Sequence, residues 1–152
     1  MNPSRIRDLV AQLETSKSLD EENAWGKLKP LGPEVLPYFL SAYPKMKKWH
    51  GRVSLVFHSM KFARQYDEAF NLGIMATKDR ATLVRYRACM LLAFSLRKEA
   101  LPHLEVLLSH KDEKTAQDAH AAIDAIKNKN HHYFVDREHT GQKFWNINEY
   151  SA

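Results

Sequence analysis

The side chains able to do chemistry in this chain are eight histidines, one cysteine and scattered carboxylates. Spacing decides whether any of them can act together. His131 and His132 are adjacent, so on a strand they face opposite sides and do not share an ion. His103 and His110 are seven positions apart, which on a helix is two turns or roughly 10 Å. Neither spacing is the i, i+4 pair that holds zinc on one helix face. The run Asp136-Arg137-Glu138-His139-Thr140-Gly141 puts oxygen-bearing side chains at alternate positions and glycine sixth, as a calcium loop does. Its twelfth position is Ile147, where calcium needs a bidentate glutamate. Asp136 is expected to cap a turn instead. Cys89 lies in Tyr86-Arg87-Ala88-Cys89-Met90-Leu91-Leu92, a helix face bound for the core, where a thiol behaves as a small hydrophobe. Glycine-rich phosphate loops, G-x-S-x-G turns and H-E-x-x-H motifs are absent. Asp20, Glu21 and Glu22 sit at a helix start, where the macrodipole favours carboxylates. The expectation is a chain that is not an enzyme and carries no metal or cofactor.

The elements that hold these residues read as helices joined by short turns. Ser4 can cap a helix running to about Lys17, with Ile6, Leu9, Val10 and Leu13 on one face. Ser18-Leu19-Asp20-Glu21 has the form of a capping box and opens a helix that stops at Pro30-Leu31-Gly32. Pro33 suits the first turn of the next helix, and Pro37 falls early enough to cost no internal hydrogen bond. A long helix over 45–64 carries Trp49, Val53, Val56, Phe57, Met60 and Phe62 as apolar positions, with Gly51 weakening it by about 1 kcal/mol relative to alanine. Further helices are expected over 67–77, 81–96, 99–109 and 113–127. After Asn128-Lys129-Asn130 the pattern changes. Residues 132–136 and 143–147 read as two strands of a hairpin, with Gly141 taking a positive φ.

A repeat orders these helices. Lys78-Asp79 recurs as Lys111-Asp112, 33 positions later. At that offset Thr82 matches Thr115 and Ala88 matches Ala121, and Arg85 matches Arg52 one period earlier. Leu36-Pro37-Tyr38-Phe39-Leu40 is echoed by Leu101-Pro102-His103-Leu104-Glu105. Helix pairs of this size cannot bury their apolar faces alone, and stacking on like neighbours makes a continuous core.

The proline in the first helix of each unit, followed by Asp79 and then Arg85, resembles a HEAT repeat over residues 33–130. That resemblance implies a ladder in which Arg85 lies close to Asp112 or Asp118 of the next unit. The pattern departs from the family at Met46, in place of the first aspartate, and at Asp118, in place of the last arginine. The expected architecture is therefore all-α: one domain over 1–152, with an N-terminal helix pair (1–30), three HEAT-like pairs (33–130) and a β-hairpin cap (131–148).

With 152 residues, 44% of them hydrophobic and 27% charged, the chain has the composition of a soluble globular domain. The single cysteine and the absence of an apolar leader suggest a cytoplasmic, reducing setting with no membrane. The net charge of +5 is concentrated in residues 31–66, which hold six basic side chains and one acidic one. The chain resembles cytosolic immunity proteins of bacterial toxin systems, including contact-dependent inhibition, in being small, HEAT-like and ended by an aromatic segment (His131 to Gly141). That resemblance implies a non-catalytic module that occludes a cognate toxin. The contact residues it suggests are Lys47, Trp49, Arg52, Arg85, Asp112, Asp118, His132, Phe134 and Trp145. The alternative is nucleic-acid binding through the basic segment 45–64, in the manner of HEAT-like alkylpurine DNA glycosylases, a resemblance of fold only.

Overall fold

The computed structural model describes residues 1–143. Its regular elements are α1 (Pro3–Ala11), α2 (Ser18–Leu28), α3 (Leu36–Ala42), α4 (Trp49–Ser59), α5 (Asp67–Ala76), α6 (Thr82–Ser95), α7 (Leu101–Leu107) and α8 (Glu113–Lys127), with 3-10 turns between several of them. The described residues include no strand. No helix among them is long and apolar enough to cross a membrane.

Local chemistry sets the boundaries, and some differ from expectation. The cap of α1 is Asn2, whose Oδ1 accepts from the Arg5 amide at 2.8 Å, and not Ser4. Ser18 is the first helical residue of α2, and no side chain caps that helix. The expected box fails because Glu21 finds better partners on α4, Ser54 Oγ at 2.5 Å and His58 Nε2 at 2.7 Å. Gly32 takes a φ of 59°, so the chain turns there and Pro33 belongs to a 3-10 segment. Pro37 sits in the first turn of α3 as expected. The long helix over 45–64 is divided, with 3-10 turns at Tyr43–Lys45 and Met60–Phe62 on either side of α4. Gly51 has a packing reason. A Cβ there would lie 2.7 Å from Met46 Sδ and 2.9 Å from Glu14 Cα.

The core is a single cluster reaching from Ile6 to Phe134. Its centre is α6, buried without interruption from Ala88 to Ser95, as a helix packed on several sides must be. It meets α4, α5 and α8. Elsewhere α1 packs on α2 and α3, α3 on α5, and α7 on α8. Cys89 lies wholly inside, and burial, reinforced by the nearby Asp118 charge, pushes its thiol up to about 12.

The C-terminal hairpin requires correction. His131–Phe134 is a 3-10 turn, entered through a left-handed Lys129 (φ 53°) and capped by Asn130 Oδ1, which accepts from the His132 amide at 3.0 Å. His131 and Phe134 are the buried residues of this turn, a spacing of three that suits a helical turn and not a strand. The turn packs against α6 and α8. Phe134 meets Tyr86 with ring centroids 5.7 Å apart. Asp136 then closes a tight loop, accepting from the Thr140 and Gly141 amides at 2.9 Å each, with Gly141 at φ 87°. Burial raises the Asp136 carboxyl, but those hydrogen bonds outweigh it and hold the group below its ordinary value. The second expected strand falls almost entirely on residues outside those described.

Candidate functional site

Two arginine rungs join successive helix pairs. Arg52 lies inside α4, and its Nε and Nη2 meet Asp79 Oδ2 and Oδ1 at 2.7 and 3.2 Å. Its Nη1 donates to the Met46 carbonyl, six residues back, at 3.0 Å. Arg85 on α6 repeats the pattern. Its Nη2 meets Asp112 Oδ2 at 2.9 Å, and its Nη1 donates to the Asp79 carbonyl, again six residues back, at 2.8 Å. At position 46 Arg52 uses only the backbone carbonyl, so a methionine there leaves this contact intact. Tyr43 Oη donates to Asp79 Oδ2, and the Ala81 amide donates to its Oδ1. Burial raises the Asp79 carboxyl, yet Arg52, Tyr43 and Ala81 together hold it below the ordinary value. Asp112 is held at about 2, chiefly by the Thr82 hydroxyl, which outweighs the opposing desolvation, with the Lys114 amide and Arg85 adding to the lowering.

The third rung is inverted. Asp118, 33 positions after Arg85, is 97% shielded, and Arg137 reaches its Oδ1 at 3.0 Å. Burial raises the Asp118 carboxyl despite Arg137, and its Oδ2 has no hydrogen-bond partner among the described residues.

The open surface lies on the other side of α4. Glu14 accepts from the Lys47 and Lys48 amides at 2.5 and 2.8 Å, capping the start of α4. This sets Trp49 at its first position, 39% exposed and stacked on His50 at 3.7 Å. Two turns later Phe57 is 47% exposed. Between α4, the 15–18 turn and α6 lies a groove of about 550 Å³, lined among others by Lys17, Glu21, Trp49, Val53, Phe57 and Arg87. At its base Glu21 Oε2 receives both Ser54 and His58, and His58 stacks on Trp25 at 3.9 Å. The His58 hydrogen bond holds the Glu21 carboxyl low, against partial burial. Ser54 and His58 both turn to the carboxylate and not to each other, so this trio lacks the serine–histidine contact of a nucleophilic triad.

The residues expected to meet a partner are scattered. Arg52, Arg85, Asp118 and Phe134 are buried and hold the molecule together. Asp112 is tied to Arg85 and Thr82. Lys47 is exposed, with its carbonyl accepting from Arg52 and Arg80. Trp49 lines the groove. Asp118 lines a different hollow, with Tyr86, Lys114 and Arg137. His132 lies half-buried on the 3-10 turn. Trp145 is outside the described residues. Periodicity placed Phe57 in the core and did not single out Arg87. Nothing in one sequence distinguishes their stations from neighbouring buried ones. Among the described residues no three His, Cys, Asp or Glu side chains converge as they would to hold a metal ion.

No protein-family model matches the chain, and no curated protein matches it significantly.

Proposed function

We propose that this chain is a HEAT-like stack of helix pairs that works by binding a protein partner, as an immunity protein occluding a cognate toxin. The architectural half is supported by the two rungs, Arg52–Asp79 and Arg85–Asp112, each bridging 27 residues with the same arginine-to-carbonyl contact. It is also supported by contacts between alternate helices, α1 with α3, α3 with α5, α4 with α6 and α6 with α8. The observation that carries the binding half is the groove beside α4. It offers Trp49 and Phe57, both more than one-third exposed, next to an arginine. Tryptophan and arginine in a concave setting are the residues over-represented at interface hot spots.

The nucleic-acid reading loses part of its basis. Of the basic residues in the 45–64 segment, Arg52 is buried in a rung, and Arg64 donates to the Phe94 carbonyl at 2.7 Å and meets His131. Lys45, Lys47 and Lys48 remain exposed. The test is co-expression with the product of the neighbouring reading frame, followed by measurement of stoichiometry and affinity. A one-to-one complex little affected by salt is expected, weakened about tenfold or more by Trp49→Ala or Phe57→Ala. Affinity for nucleic acid that collapses with salt, and with Lys47→Glu, would replace this reading with the other.

A further inference from the structure

We propose that Arg87 is a built receptor for a carboxylate, and that the ligand is an aspartate or glutamate side chain of the protein partner, flanked by an apolar residue. This rests on the protein-binding reading above and names the chemistry its partner must carry.

Arg87 is half-buried at the α6 wall of the groove. Its guanidinium carbon lies 4.8 Å from the centroid of the Phe57 ring and 5.4 Å from that of Tyr86. These rings fix the side chain and supply cation–π attraction. Its only hydrogen bond among the described residues is from Nη1 to Met90 Sδ at 3.4 Å, a weak acceptor. Four other arginines are matched by carboxylates: Arg52 by Asp79, Arg85 by Asp112, Arg97 by Asp67 and Arg137 by Asp118. Unlike those four, Arg87 has lost part of its hydration without gaining an acid among the described residues. A guanidinium held by its faces, with its N–H edges unfilled, is arranged for a two-pronged contact with a planar anion.

Glu21 in the groove does not fill that role, because it is already taken by Ser54 and His58. A polyanion is disfavoured for a different reason. The groove sets Lys17 and Arg87 against Glu21 and Glu22, with no excess of cations along a track, which is what a phosphate backbone requires. A single carboxylate beside an apolar group fits both the lone guanidinium and the exposed Trp49 and Phe57 surfaces.

The probe is 3-phenylpropionate, which carries both features, titrated into the isotopically labelled full chain and followed by NMR, with 3-phenylpropionamide as control. Saturable shifts confined to the surroundings of Trp49, Phe57 and Arg87 are expected, with the neutral amide at least about tenfold weaker. Arg87→Gln should abolish the preference for the acid, and Arg87→Lys should retain part of it. Phe57→Ala should weaken both probes, which separates loss of the ring from loss of charge. Equal binding of acid and amide, an unchanged preference in Arg87→Gln, or tighter binding of inorganic phosphate or a ten-residue oligothymidylate would overturn the assignment. The two proposals fail separately. A partner complex insensitive to Arg87→Gln removes the receptor and leaves the protein-binding reading. Probe binding through Arg87 with no complex to the neighbouring product does the reverse.

Discussion

The middle of the molecule and its C-terminal end are joined by the same pair of charged groups with the positions exchanged. At Arg52 and Arg85 the cation is buried in the helix, and the acid comes from the turn inside the next helix pair, between α5 and α6 or between α7 and α8. At Asp118 the acid is buried in the helix, and the cation comes from beyond the next turn, on a side chain that is 39% exposed. The inner guanidinium is satisfied on several sides, by a carboxylate ahead and a carbonyl behind. The outer carboxylate keeps one oxygen without a hydrogen-bond partner among the described residues. A buried arginine cannot shed its charge and must be matched. A buried aspartate can take up a proton. The inversion therefore places the adaptable group where no further helix pair follows among the described residues.

Truncating the inner rung is the largest blow to this comparison. Arg52→Met leaves Asp79 charged and enclosed with only Tyr43 and the Ala81 amide, and should cost about 3–5 kcal/mol. A urea titration followed by circular dichroism would register it as a large fall in midpoint with an unchanged slope. The matching change at the outer rung, Arg137→Ala, should cost far less, about 1 kcal/mol, because the arginine is partly solvated and Asp118 can neutralise itself. It should be felt mainly as faster amide exchange in residues 131–141. Equal losses at the two rungs would show that the inversion has no energetic meaning.

How much of this could be read from the chain follows from the same contrast. The Arg85–Asp112 rung was legible because its members recur at an offset of 33 and the partner lies in the turn inside the next helix pair. The partner of Asp118 was not, since Arg137 belongs to a segment outside the repeat. Helix starts went wrong where a tertiary contact outbid a local one, as when Glu21 turned to Ser54 and His58 and not to its own helix terminus. The first strand of the expected hairpin was misread because its β-favouring aromatic and branched residues beside a turn glycine fit a strand, while burial at His131 and Phe134 follows a helical turn. The groove was the least legible part. Trp49 and Phe57 stand where periodicity expects core, and Arg87 has no motif around it.

The smallest effect is the sharpest, because it concerns sign. Asp112 is held at about 2 in the folded chain against an ordinary value of 3.8. Its contribution to stability is present above the ordinary value and is lost as pH falls toward 2. Asp118 is shifted the other way. Its contribution is present below the ordinary value and is lost as pH rises through the raised one. Asp112→Asn should thus be destabilising at neutral pH, with the deficit relative to the parent closing as pH is lowered from about 4 to about 2. Asp118→Asn should fare better relative to the parent as pH rises across its own window. Stability measured by urea titration at a series of pH values, for both variants and the parent, gives two difference curves. Both should rise or fall in opposite senses only if the last rung is truly reversed: with increasing pH, the Asp112 curve moves against its variant and the Asp118 curve toward it. Parallel curves would mean that the Asp118 carboxyl is as well matched by Arg137 as Asp112 is by Arg85 and Thr82, and that enclosing its second oxygen carries no cost.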